Sequence, residues 1–200
     1  MHRHTLRQAL QALARQGFVQ ARQGSGTYVR ELVLDYALQR RTRLTHSLAA
    51  AGEQAQRELL ARQRLPAGDW ASALGLSGRR EIELLQTRST VRGRPIGLCS
   101  AAYPLPRLAG IADAFARLGS VTAALRELGV ADYTRSRSVV SARLPTPVEA
   151  DLLARSPMQP VLEVSYVNVD AQGQPVEAGR TLFAADAVQL SVSAQDWGAP

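Results

Sequence analysis

Apolar residues recur every three or four positions at the start of the chain: Leu6, Leu10 and Leu13, with Ala9, Ala12 and Ala14 around them. That spacing predicts a short amphipathic helix, with Arg3, Thr5, Arg7, Gln8, Gln11 and Arg15 over much of its remaining surface. Gly17 predicts its end. Phe18-Val19 and Thr27-Tyr28-Val29 predict two short strands turning over Gln23-Gly24-Ser25-Gly26. Residues 31–40 contain neither Gly nor Ser and predict a partly structured joint rather than a free tether.

From Arg41 the pattern mixes helical and strand periods. A helix is expected through about Ala51, stopped by Gly52. Residues 54–65 predict a strand, although Leu59-Leu60 also suits a helix, and Asp69–Gly75 predicts a short helix closed by glycine. Residues 81–92 and 95–103 predict a hairpin around Gly93-Arg94-Pro95. Helices are expected at about 111–118 and 121–128, the second capped by Ser120 and ended by Gly129. A long strand is expected over 132–144. Thr146-Pro147-Val148-Glu149 has the form of a capping box with proline in the first turn, and predicts a helix over 147–154. Residues 161–169 and 175–184 predict a second hairpin over 170–174, and 187–193 a last strand. Hairpins and helices are interspersed without regular βαβ alternation, so the expected class is α+β, an antiparallel sheet with helices on one side.

Charge is placed unevenly along this chain. Residues 1–30 hold five arginines and no acid, whereas the rest carries nineteen of the 24 basic residues against all 17 acids. A near-neutral body with a basic end predicts a localised contact with a polyanion. Every basic residue apart from the histidines is arginine, which weakens any single arginine as a sign of anion recognition. Cys99 is the only cysteine, so no internal disulfide can form and a reducing compartment is expected. No apolar run approaches the ~20 residues that a membrane span needs, so a cytoplasmic protein without membrane contact is expected.

The basic end has two readings on spacing alone. One is a solvated helix followed by an ordinary hairpin. The other is a recognition helix presenting Arg3, His4, Thr5, Arg7 and Gln8 to the major groove, where Arg reads guanine edges and Gln reads adenine. Its wing would set Arg22 and the backbone of Gly24, Ser25 and Gly26 against phosphate or the minor groove.

The body offers no catalytic constellation. His46 is its only histidine, there is no glycine-rich phosphate loop, and no cofactor or metal is expected. Arginines do recur beside hydroxyls, at Arg41-Thr42-Arg43-Leu44-Thr45, Arg88-Ser89-Thr90 and Thr134-Arg135-Ser136-Arg137-Ser138. Such clusters can hold a phosphate, phosphonate or carboxylate through charge-assisted hydrogen bonds. An even alternative is scattered surface charge.

Arg3-His4-Thr5-Leu6-Arg7-Gln8-Ala9-Leu10, Leu13, Gly17-Phe18-Val19 and Gly24-Ser25-Gly26-Thr27-Tyr28-Val29 resemble the end of the GntR-family winged helix-turn-helix. The resemblance implies a DNA-binding segment over 1–30, a linker over 31–40 and an effector domain over 41–195. It also implies that the chain starts inside the family's DNA-binding domain, so weak specific operator binding is expected. The body resembles the UTRA effector domain of the HutC subfamily, whose fold is similar to chorismate lyase. That likeness rests on Arg43-Leu44-Thr45, Arg88 before Gly93-Arg94-Pro95-Ile96, Tyr103-Pro104, Leu125 with Leu128-Gly129, and Gly173-Gln174-Pro175-Val176-Glu177.

Within the subfamily the chain is most similar to regulators of phosphonate metabolism, chiefly through Asp35-Tyr36, Arg41-Thr42-Arg43 and Val176-Glu177 with Arg180-Thr181 and Phe183-Ala184-Ala185-Asp186. The resemblance implies a dimeric, non-enzymatic transcriptional repressor whose operator affinity follows a small anionic effector. The resemblance implies effector contacts at Arg43, Thr45, Arg88 and Glu177, and the arginine–hydroxyl clusters add Arg41, Thr90, Arg135 and Arg137 as candidates. Where relatives carry a second arginine, a glutamate and a tyrosine, this chain has Thr90, Cys99 and Phe183, which argues against an amino-sugar phosphate. Two other readings stay open: a standalone small-molecule binder or chorismate-lyase-like enzyme with a vestigial arm, and a paralogue that blocks an intact regulator by dimerising with it.

Overall fold

The computed structural model describes residues 5–10, 19–22, 26–29 and 34–193, with side chains described for all of these except 19–22, 26–29, 45 and 46. The chain divides into two compact units, Met1–Val33 and Leu34–Pro200. In the first, residues 5–10 are helical (α1), and β1 (Val19–Arg22) pairs antiparallel with β2 (Gly26–Val29), Val19 opposite Val29 and Arg22 opposite Gly26. The predicted stop at Gly17 and the turn residues 23–25 lie outside the described residues.

The second unit is built on a six-stranded sheet in the order β4-β5-β6-β9-β8-β7, antiparallel throughout. Its strands are β4 (Ala55–Pro66), β5 (Glu81–Val91), β6 (Arg94–Pro104), β7 (Thr134–Arg143), β8 (Val161–Val169) and β9 (Pro175–Ala184). A separate parallel pair joins β3 (Leu34–Ala37) to β10 (Val188–Ser191), so part of the expected joint is a strand of this unit. β5 and β6 meet at a tight turn of Arg92 and Gly93, both at positive φ (50° and 76°), so Arg94 and Pro95 belong to β6 rather than to the turn. Two positive-φ residues match the twist that joins antiparallel strands.

Helices lie on both faces of the sheet, not on one side as the element order suggested. The α4 (Ile111–Leu118) and α5 (Val121–Glu127) helices pack Ile111, Phe115, Ala124 and Leu125 against Leu85, Ala101 and Tyr103 of the inner face. On the outer face α3 (Ala71–Leu74) buries Ala71 and Leu74 against Ile82, Ala102 and Ala178. Nearby, α6 (Pro147–Leu153) sets Leu153 against Leu98, Val161 and Leu182. Both faces need cover because both carry apolar rows: Leu85 and Ala101 point one way, and their neighbours Leu84 and Ala102 the other. The α6 start is the one read from sequence. Thr146 Oγ1 accepts from the Glu149 N–H at 3.3 Å, and a Glu149 carboxylate oxygen accepts from the Thr146 N–H at 2.8 Å.

Candidate functional site

Strand parity sets a row of polar side chains on the inner face. Partners across a register share a face, and the registers pair Arg57 with Ser89, Thr87 with Cys99, Cys99 with Thr181, Glu177 with Asn168 and Asn168 with Arg135. Over this row lie Tyr36 of β3, the stretch Thr42–Leu44 at the start of α2 (Leu44–Ala50), Ser120–Thr122 at the start of α5, and Tyr133. Together they enclose a cavity of about 70 Å³. One water needs ~10–15 Å³ by the same measure, so the space is that of about five waters or one small organic ion.

Glu177 forms the floor and is only 4% exposed. Tyr166 and Tyr103 donate their hydroxyls to its Oε1 at 2.8 and 3.1 Å, and Asn168 Nδ2 donates to Oε2 at 2.6 Å. Burial first, then the nearby Glu177 and Cys99, push the pKa of both tyrosines well above the ordinary phenol range, so both hydroxyls stay protonated donors. The Tyr166 ring lies across Gly179, its register partner, where any Cβ would collide with Cζ, the hydroxyl oxygen and Cε1. Only glycine there lets the ring reach Glu177. The hydroxyl also meets Cys99 Sγ at 3.5 Å. Cys99 is thus a half-buried wall of the cavity rather than a core residue.

Three arginines surround that floor. Arg135 donates from Nε to Asn168 Oδ1 at 2.7 Å, and its guanidinium stacks 3.9 Å from the centre of the Tyr166 ring. Arg43 lies 4.6 Å over Tyr133 and donates from Nη2 to Asp132 Oδ1 at 2.8 Å. Arg57 lies 5.3 Å over Phe115 and donates from Nη2 to Thr87 Oγ1 at 3.3 Å. Stacking on aromatic faces holds planar guanidinium groups in fixed orientations. Even so, Nε of Arg43 and Nε of Arg57 are buried and donate to no protein acceptor. Two unused charged donors and one engaged cation beside a small cavity make it suited to an anion.

Of the expected effector contacts, Arg43, Arg135 and Glu177 line this cavity, as do Cys99 and Phe183, where the chain departs from its relatives. Arg88 does not. It is one residue from Ser89, so alternation turns it to the outer face, where it meets its register partner Glu58 at 2.7 Å. Thr90 follows Arg88 to that side. Arg137 would share a face with Arg135 in a regular strand, but a bulge between them resets the parity, and Arg137 pairs with outward Val167. Arg41 is exposed and bound to Asp132 at 2.7 Å, beside Arg43. The Thr45 side chain lies outside the described residues. Thr5, Arg7 and Gln8 are exposed along α1. Arg3, His4, Gly24 and Ser25 fall outside the described residues, and for Arg22 and Gly26 only the backbone strand is described. Sequence reading missed Arg57, Tyr36 and Asn168. Arg57 opposite Ser89 becomes visible only once the β4–β5 register is known.

Comparison with known proteins places this geometry in a family. The UTRA domain model matches residues 50–189, and the model of bacterial regulatory proteins of the gntR family matches residues 1–29. The chain belongs to the GntR family of transcriptional regulators that carry a UTRA domain. An HTH-type transcriptional regulator of Rhizobium meliloti is 41% identical over 96% of this chain and 80% of its own length. The HTH-type transcriptional repressor PhnF of Mycolicibacterium smegmatis is 30% identical over 92% of this chain and 75% of its own. The crystal structure of PhnF from Mycobacterium smegmatis superposes with a TM-score of 0.78 at 28% identity, covering 96% of this chain and 85% of that one. The protein is accordingly a transcriptional regulator with an effector-binding domain, and the cavity lies within the span that the UTRA model matches together with the strand and turn before it. Among the described residues no helix is long and apolar enough to cross a membrane, and no group of three or more His, Cys, Asp or Glu is placed to hold a metal ion.

Proposed function

We propose that this regulator is a cytoplasmic, dimeric repressor whose operator affinity is set by a small anionic effector, of the phosphonate or phosphate-ester class, seated between Arg43, Arg57 and Arg135. The observation that carries this reading is the pair of buried Nε–H groups on Arg43 and Arg57 that meet no protein acceptor beside the cavity. An anion with several oxygens can accept from more than one of these guanidinium groups, and charge-assisted bonds of this kind are the strong ones. The PhnF name of the Mycolicibacterium smegmatis relative supports phosphonate chemistry, and the family supports operator DNA as the partner. Residues 1–30 form the DNA-binding segment in this reading, with Arg3, His4, Thr5, Arg7, Gln8, Arg22 and Gly24–Gly26 as contacts, and the effector domain takes in the strand Leu34–Ala37 of the expected 31–40 joint. The protein acts by binding rather than catalysis. Glu177 is the acid on the cavity wall, and three donors already hold its oxygens.

The test is calorimetric titration of the purified chain with methylphosphonate, phosphate and acetate, followed by gel shifts on DNA upstream of its own gene with and without the tightest binder. Saturable binding of a phosphonate or phosphate together with a shift in DNA affinity is expected. If none of these anions binds, the effector reading is wrong.

A further inference from the structure

The carboxylates of this protein are treated unequally. Glu83 is 3% exposed and meets both Arg62 and Arg64, at 3.8 and 3.3 Å. Asp170 is 9% exposed and is paired with Arg107. Glu177 is buried as deeply as Glu83, yet no arginine comes within salt-bridge distance of it among the described residues, and its three partners are neutral donors. A buried carboxylate with no direct ion pair is unfavourable, and nearby cations, protonation or a ligand can offset the cost. Because Glu177 lines the cavity, a cation carried by a ligand can pair with it directly, as none of the surrounding arginines does.

The remaining valence of the carboxylate agrees. Two hydroxyls occupy Oε1, whereas Oε2 accepts from Asn168 alone, and a carboxylate oxygen accepts about two hydrogen bonds. Asn168 also fixes the geometry. Its amide donates to Oε2 on one side and accepts from Arg135 Nε on the other. The cationic and anionic walls are therefore one side-chain amide apart. We infer that the effector is a zwitterion, its anionic head on Arg43, Arg57 and Arg135 and an ammonium group on Oε2 of Glu177.

This rests on the anionic-effector reading, and the two can fail separately. The experiment is titration of the full chain with ethylphosphonate, 2-hydroxyethylphosphonate and 2-aminoethylphosphonate, which share the anionic head and differ at the far end. The amine should bind about tenfold or more tighter than the ethyl compound, the gap expected of a charge-assisted bond. In Glu177→Gln the gap should close, the amine losing more affinity than the ethyl compound. Ethyl or hydroxyethyl compounds that bind as tightly as the amine in the unaltered protein would overturn the zwitterion and leave the anionic reading standing. That comparison needs no folded variant. Failure of all three to bind would overturn both.

Discussion

Replacing Gly179 with alanine tests the geometry of the floor with one methyl group. Gly179 is not in the left-handed region, so alanine suits its backbone, and the three atoms nearest the added Cβ all belong to Tyr166. Without that ring the change should stabilise the protein by about 0.4–1 kcal/mol, through a smaller unfolded-state entropy. With the ring in place the phenol has to leave. Its hydrogen bond to buried Glu177, 2.8 Å long, breaks and leaves that carboxylate oxygen with Tyr103 as its one donor, a loss of about 1–3 kcal/mol. The stacking of Arg135 on the same ring goes too, worth about 0.5–2 kcal/mol. A net destabilisation of roughly 2–4 kcal/mol follows, or a Tm lower by roughly 4–16 °C for a chain of this size. Thermal melts followed by circular dichroism read the shift. In a Tyr166→Ala background the same glycine change should turn neutral or stabilising, because neighbours that share one contact do not add. An unchanged Tm in the single variant, or equal losses in both backgrounds, would refute the arrangement.

Two further variants separate the arginines. Arg57→Ala should weaken binding of the proposed phosphonate by about 10–100-fold, the value of one or two charge-assisted bonds. Arg88→Ala should leave the affinity within about twofold, since its guanidinium serves Glu58 on the other face; the reverse order, read by calorimetry, would misplace the site. The α6 start carries a pH signature. Hydrogen bonding by Arg143 first, and then by the Thr146 backbone against the effect of burial, lowers the Glu149 pKa from 4.5 to about 2. A depressed folded-state pKa stabilises above the unfolded value and is lost as pH falls through the folded one. The Tm gap between the unaltered protein and Glu149→Gln should therefore narrow from pH 4.5 down towards about pH 2. A gap that widens with acid would contradict the pairing.

What the sequence made legible was local. The Thr146–Glu149 capping box, the Ser120 cap and the Gly129 stop are decided within four residues, and each stands where the pattern put it. The β4 strand was ambiguous at Leu59-Leu60 for a physical reason. A bulge there turns Leu59 inward and Leu60 outward, then sets Arg62 and Arg64 on the inner face after Arg57, so no single period of two runs through the strand. The joint after residue 33 was half legible. Its Leu34, Tyr36 and Leu38 alternate inward, but the strand they lie along pairs with β10, 154 residues away, and a parallel pairing of that separation leaves no local trace.

The site was hardest to read because composition hid it. In a chain whose only basic side chains besides histidine are arginines, proximity to a hydroxyl marks nothing, and Arg88 and Arg137 fit that pattern as well as Arg43 and Arg135. What separates them is parity, and bulges at Leu60 and Ser136 change parity mid-strand. The Ser136 bulge is itself part of the site. With a regular strand Arg137 would join Arg135 on the inner face and crowd a second guanidinium against it. The extra residue sends that charge to solvent. It also leaves the Arg135 N–H free to donate to the Arg40 carbonyl at 2.7 Å. That bond ties the segment just before Thr42 and Arg43 to the strand that holds Arg135. Two of the three arginines are thereby fixed relative to one another by backbone, which is the condition for reading an anion's shape as well as its charge.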